Sequence, residues 1–239
     1  MTRRNQLGPQ IDPPVHFHKA VLMQRLLDAV LRGYHWHTFG AVSGDKAQHL
    51  ANKFAERYAV HRNEAQRAYA KRKGLANARL FFLAQHQWRD LHWWLCVTDG
   101  RGRVHMDEHL GDARERRSRI RIDDDYELLR RTRDRSRGGG TVWTWRMTRA
   151  CYRQWREWII EACRRPGPVE IRRAMGSLYR TPGYSGIREQ VGALIVLARS
   201  EWRRRHGSLD DFVLPPRLRY VQRLPNTSVP LSEWKAGNR

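Results

Sequence analysis

The stretch GYHWHTFGAVSGDKAQHLANKFAERY, residues 33–58, changes its hydrophobic period half-way along. Over residues 33–42, Tyr34, Trp36, Thr38, Phe39 and Val42 supply aromatic and β-branched side chains, and the two-residue alternation of a strand sets His35 and His37 on one face. After the Ser43-Gly44-Asp45 break, Ala47, Leu50, Ala51, Phe54, Ala55 and Tyr58 recur at the i, i+3, i+4, i+7 spacing of an amphipathic helix. A strand that feeds a helix packed back on its sheet opens a split β-α-β, or ferredoxin-like, unit.

Upstream, residues 1–17 are polar and carry Pro9, Pro13 and Pro14, which predicts an extended arm. Residues 18–32 read as a helix with Leu22, Met23, Leu26, Val30 and Leu31 on its apolar side, ended by Gly33. Downstream, residues 63–73 form a basic, weakly apolar helix with Asn63 as N-cap and Gly74 as stop. Residues 79–85 (RLFFLAQ) and 91–98 (LHWWLCVT) read as adjacent strands, followed by the Asp99-Gly100-Arg101-Gly102 turn. Residues 112–137 alternate arginines with acids and form a basic ribbon, closed by the side-chain-free loop Gly138-Gly139-Gly140. TVWTWRM, residues 141–147, is a strand, and Thr148 caps a helix over 149–163. Beyond Pro166-Gly167-Pro168 the chain turns helical over 170–180 and 185–205, and prolines after Gly207 make the rest an irregular strap. The fold class is α+β: an arm (1–17), a ferredoxin-like or RRM-like sheet half (18–147), a mainly helical half (148–206) and a strap (207–239).

Lys plus Arg number 46 against 24 Asp plus Glu among 239 residues, a formal net charge of +22 on a chain with ten tryptophans and 40% apolar residues. Such a chain builds a core, and its cationic excess points to a nucleic-acid partner. Cys96, Cys151 and Cys163 follow no metal-site or disulfide spacing, which fits a reducing compartment. Neither a membrane-length apolar run nor a signal-peptide core occurs, so the expected location is the cytoplasm, with no membrane partner. Walker loops, dinucleotide-binding GxGxxG, GxSxG elbows and CxxC pairs are absent, which argues against NTPase, dehydrogenase, hydrolase and zinc-finger readings.

The His35-Trp36-His37 triplet admits three readings. Two imidazoles on one strand face, roughly 6 to 7 Å apart at Cα, suit a shared divalent metal. This His-hydrophobe-His arrangement resembles the motif of the HUH nucleases that nick single-stranded DNA, which implies a helical tyrosine nucleophile: Tyr69, followed by Lys73, or else Tyr58. In the second reading one histidine works without metal as general base or acid on a ribose 2′-hydroxyl, while arginines stabilise the developing phosphorane charge. In the third, both histidines only pack and hydrogen-bond.

The sheet-forming start, the basic helix, the arginine-dense ribbon and the Arg137-Gly138-Gly139-Gly140 loop before TVWTWRM together resemble the CRISPR-associated repeat-RNA endoribonucleases of the RAMP superfamily, including their arginine-rich type IV branch. That resemblance implies metal- and cofactor-independent processing of repeat RNA by His35 and His37. It also implies that the crRNA stays bound, beside other CRISPR subunits. Candidate nucleic-acid contacts are Arg67, Lys71, Arg72 and Lys73 on the basic helix; Arg114, Arg116, Arg117, Arg119, Arg121, Arg130, Arg131, Arg133, Arg135 and Arg137 in the ribbon; and Gly138, Gly139 and Gly140. Trp94, Trp143 and Trp145 are candidate platforms on which bases stack. A non-catalytic subunit that holds nucleic acid in a ribonucleoprotein is the remaining alternative.

Overall fold

The computed structural model describes residues 11–85, 90–132, 136, 138–214 and 218–234. In chain order the elements are β1 (Pro14–His16), α1 (Lys19–Leu31), β2 (Trp36–Ser43), α2 (Gly44–Tyr58), α3 (Glu64–Arg72), β3 (Ala78–Leu83), β4 (Asp90–Val97), α4 (Val104–Asp107) and β5 (Gly111–Asp112). A 3₁₀ turn (Arg116–Ser118) precedes β6 (Arg121–Ile122), β7 (Tyr126–Thr132), β8 (Thr141–Met147), α5 (Arg149–Arg164), α6 (Val169–Leu178), α7 (Ser185–His206) and β9 (Ser228–Pro230). The chain is α+β, with strands concentrated in its first half and long helices in its second. The local punctuation acts as the sequence implies. Asn63 and Gln66 form a reciprocal capping box on α3, and the Thr148 hydroxyl accepts from the Cys151 N–H to start α5.

Chain contacts divide the protein into two compact units, Met1–Arg119 with Leu224–Arg239, and Ile120–Arg223. The first holds a six-stranded sheet of order β5-β2-β4-β3-β1-β9. Because β2 and β3 both run antiparallel to β4, they are parallel to each other, and β2-α2-α3-β3 is a split β-α-β unit with β4 inserted. Residues expected in an extended arm and an irregular strap are partly sheet. Val15 pairs with Phe82 on one side and Val229 on the other, because its side chain belongs to the core.

Both faces of this sheet are covered at its centre. Leu80, Phe82, Leu91, Leu95 and Val97 pack with Ala47, Ala51, Phe54 and Tyr58 of α2. Across from Trp93, Gly40 leaves room for the indole, where a Cβ would stand 2.9 Å from its ring. The alternate residues Phe81, Leu83, Trp94 and Cys96 point to the opposite face and are buried too, while α1 lies along β1 and β3. An RRM-like platform needs an open face. Trp94, expected to stack on bases, is instead 2% exposed and part of the core.

In the second unit, β6, β7 and β8 form an antiparallel ribbon, and α7 docks on β8 and α5. The docking is close. A Cβ on Gly186 would stand 2.6 Å from the Trp145 carbonyl oxygen, and the Gln190 side chain satisfies both the N–H and the C=O of Met147. This is why the ribbon groups with the helices, and why the division falls at residue 119 rather than near the expected 147. Trp145 is fully buried here, so it too is core rather than a stacking platform; Trp143 is half-buried. Trp94→Ala and Trp145→Ala are each expected to cost about 3 to 5 kcal/mol by chemical denaturation, whereas truncating an exposed stacking residue would cost little.

Candidate nucleic-acid interface

β2 begins at Trp36, one residue after His35, whose backbone carbonyl accepts from the Ala113 N–H at 2.8 Å. His37 is 4% exposed, and its Nε2 donates to the Ser118 carbonyl at 2.7 Å. That bond, the β2–β5 pairing and the Ser118 hydroxyl donating to Asp112 O at 3.0 Å tie residues 111–118 down across the end of β2. Burial pushes the His37 imidazole below its usual pKa, and the Ser118 carbonyl and Asp112 offset this only in part. The two imidazoles therefore have different surroundings: His37 is a neutral clamp inside the fold, and His35 is half-exposed within the field of Asp112.

Arg114 is committed to that corner. Its guanidinium grips Asp112 at 2.8 to 2.9 Å, approaches Asp99 at 3.5 Å and lies 5.7 Å from the centre of the Trp36 ring, whose Nε1 donates to Asp99 at 2.7 Å. Burial works against ionisation of Asp112, but Arg114 overcomes it and holds the carboxyl below the usual carboxylate range. Among the described residues no three His, Cys, Asp or Glu side chains converge as a metal site. Of the two candidate tyrosines, Tyr58 donates its hydroxyl to Glu108 at 2.6 Å, and burial together with that carboxylate keeps the phenol protonated. Tyr69 is 56% exposed on α3, with Lys73 Nζ 5.8 Å from its ring centre.

The remaining cations fall into separate groups. Arg130 donates to the Thr141 hydroxyl and Arg131 pairs with Glu189. Arg133, Arg135 and Arg137 lie outside the described residues, Arg119 is half-exposed and Arg121 exposed. Gly138, Gly139 and Gly140 all have positive φ and open space around them, a backbone path that side-chain-bearing residues rarely follow. Lys71, Arg72 and Lys73 at the end of α3, and Arg116 and Arg117 in the 3₁₀ turn, are exposed and have no carboxylate partner among the described residues.

The first unit also contains a cleft of about 470 Å³ that sequence reading did not anticipate. Its lining includes Arg25, Arg62, Arg67, Arg79 and His16, drawn from α1, the α2–α3 connection, α3, β3 and β1. Only Arg67 stood among the candidates. No local spacing links the other four; the one signal is a lone cation, Arg79, in the apolar strand ARLFFL.

No protein-family model, no characterised protein and no solved structure matches this chain. The functional reading therefore rests on geometry and charge.

His16 is 2% exposed, and burial plus the nearby Arg25 push its pKa down to about 4 from 6.5. Between those values the unfolded chain binds a proton that the folded chain refuses. The His16 contribution is thus complete above pH 6.5 and is lost as pH falls toward 4, on the order of 1 kcal/mol per pH unit. Urea denaturation at pH 7 and pH 5 should show the drop, and His16→Leu should reduce it, the remainder including the share of buried His37.

Proposed function

We propose that the chain binds RNA chiefly through its phosphates. The observation that carries this reading is the cluster Lys71, Arg72 and Lys73 at the end of α3. It is exposed and lacks any carboxylate partner among the described residues, whereas Arg57, Arg103, Arg114, Arg131 and Arg146 are paired with acids. Cations left uncompensated on a chain of net charge +22 attract a polyanion and release its counterions on binding. The RNA class implied by the resemblance, a CRISPR repeat RNA held in a larger complex, belongs to this proposal. So does its cytoplasmic location; for membranes, no helix among the described residues is long and apolar enough to cross one.

Binding of a single-stranded RNA oligomer at increasing salt tests the reading. Replacing Lys71, Arg72 and Lys73 together by glutamate is expected to weaken binding and to lower the slope of log K against log salt by about 2, at roughly 0.7 per phosphate contact on a single strand. An unchanged slope would refute the assignment of these three residues.

A second reading, cleavage of the bound RNA, is favoured by the His35 corner. A half-exposed imidazole in the field of a carboxylate that Arg114 keeps ionised suits a general base, with Asp112 stabilising the imidazolium that forms. The role falls to His35 because the Nε2 of His37 is engaged by Ser118. His35→Ala is expected to abolish formation of cyclic-phosphate ends while leaving RNA affinity within about twofold. Cleavage that persists in this variant removes the reading.

A further inference from the structure

The cleft of the first unit lies where the sheet is incomplete. β3 runs from Ala78 to Leu83, but β1 pairs only with Phe82 and Leu83. Hydrogen-bond parity tells which backbone groups face the uncovered edge. The Thr98 N–H donates to Asn77 O, so odd-numbered residues of β3 turn toward β4, and the Ala84 N–H donates to His16 O, so even-numbered ones turn toward β1. Leu80, in the cleft lining, therefore presents its backbone N–H and C=O at the open edge.

Four guanidinium groups are held around this edge, and each retains unused N–H groups. Arg62 donates to Ala76 O at 3.0 Å and to Asn77 Oδ1 at 3.3 Å. Arg25 donates to Asn226 Oδ1 at 3.0 Å and Leu224 O at 3.1 Å, and meets Asp28 at 3.5 Å. Arg67 hydrogen-bonds Tyr34, and Arg79 lies 5.2 Å from the centre of the Phe81 ring. Burial depresses the Arg79 pKa, and the nearby charges of Arg67 and Arg32 add to that effect. Asp12, also in the lining, forms no ion pair with them among the described residues; both its oxygens accept from Ser232, at 2.6 and 2.9 Å. Partly buried like charges at such density call for an anion, and forked guanidinium groups suit a phosphate best.

His16 adds a second requirement. One ring nitrogen bonds the backbone of Thr227, while buried Nδ1 has no partner among the described residues. The Thr227 bond favours the protonated ring, so it is a donation from Nε2, and Nδ1 of the neutral ring is left as an acceptor. No guanidinium of the lining reaches it among the described residues, and an ionised phosphate has no hydrogen to donate, whereas a ribose hydroxyl on a phosphate-bearing ligand has one. The volume falls among small-molecule sites, roughly 300 to 1,000 Å³, and excludes a nucleic-acid duplex.

We propose that this cleft binds one ribonucleoside monophosphate, its phosphate on the arginines and a ribose hydroxyl donating to His16 Nδ1. Two sources share that chemistry, a free ribonucleotide and the phosphorylated end of an RNA strand; only the second rests on the RNA-binding reading. Neither uses the exposed end of α3.

Calorimetric titration of the full chain, freed of co-purifying nucleic acid, with adenosine 5′-monophosphate is the test. One molecule should bind per chain, adenosine should not bind, and Arg67→Glu should weaken the nucleotide by roughly tenfold or more. Arg67→Ala replaces that variant if the glutamate prevents folding. Arg153→Glu, outside the cleft, should change the affinity by less than about twofold. Competition identifies the source. Stronger displacement by an RNA oligomer carrying a 5′-phosphate than by its 5′-hydroxyl twin establishes the strand end, and no displacement by either establishes the free nucleotide. Absence of nucleotide binding, or binding unaffected at Arg67, overturns the proposal. RNA binding that survives such a result would leave the role of α3 intact.

Discussion

The insertion of β4 between β2 and β3 is the constraint on which the first unit depends. Eight cross-strand pairs with β2 and six with β3 leave no freedom of register, since a one-residue slip would exchange the two faces of every strand. With register set, Leu80, Phe82, Leu95 and Val97 must meet α2, and Phe81, Leu83, Trp94 and Cys96 must take the other face. Both sets are buried, so the sheet is a core layer. The uncovered part of β3 is its edge, where parity turns the backbone of Leu80 outward and β1 stops short.

Charge is distributed by the same geometry. An exposed ion pair is worth about 0 to 1 kcal/mol, so pairing surface arginines with acids adds little stability, but it decides which cations remain available to a partner. Arg114 is spent on Asp112 and Asp99, and Arg131 on Glu189. The end of α3 has no carboxylate partner among the described residues, and its negative dipole end favours three cations close together. Arg62, Arg67 and Arg79 are held by carbonyls, a phenol and a ring face, contacts that orient a guanidinium without neutralising it.

His37 and His16 show how alike two residues can look in sequence and how differently they end. Each sits in a strand, each is buried, and each has one ring nitrogen satisfied by backbone. His37 is sealed beneath residues 111–118, while His16 lines an arginine-rich cleft. Position in the sheet separates a clamp from a cleft-lining group.

Much of the local structure was legible in residues 33–58, in Asn63 and Gly74 around α3, and in Thr148 before α5, because period and capping act over a few residues. The cationic excess and the α+β class were equally plain from composition and pattern. Trp94 and Trp145 were not: alternation tells that neighbouring side chains point oppositely but not whether both faces are covered. Nor was the grouping of β6, β7 and β8 with the helices, which rests on Gly186 and Gln190 reaching β8 from some forty residues downstream. The sequence by itself determined the elements, their caps and the sign of the charge. Only the tertiary structure decided which histidine is enclosed, which arginines are neutralised and where four of them converge, because those outcomes come from contacts between residues far apart in the chain, which no local period records.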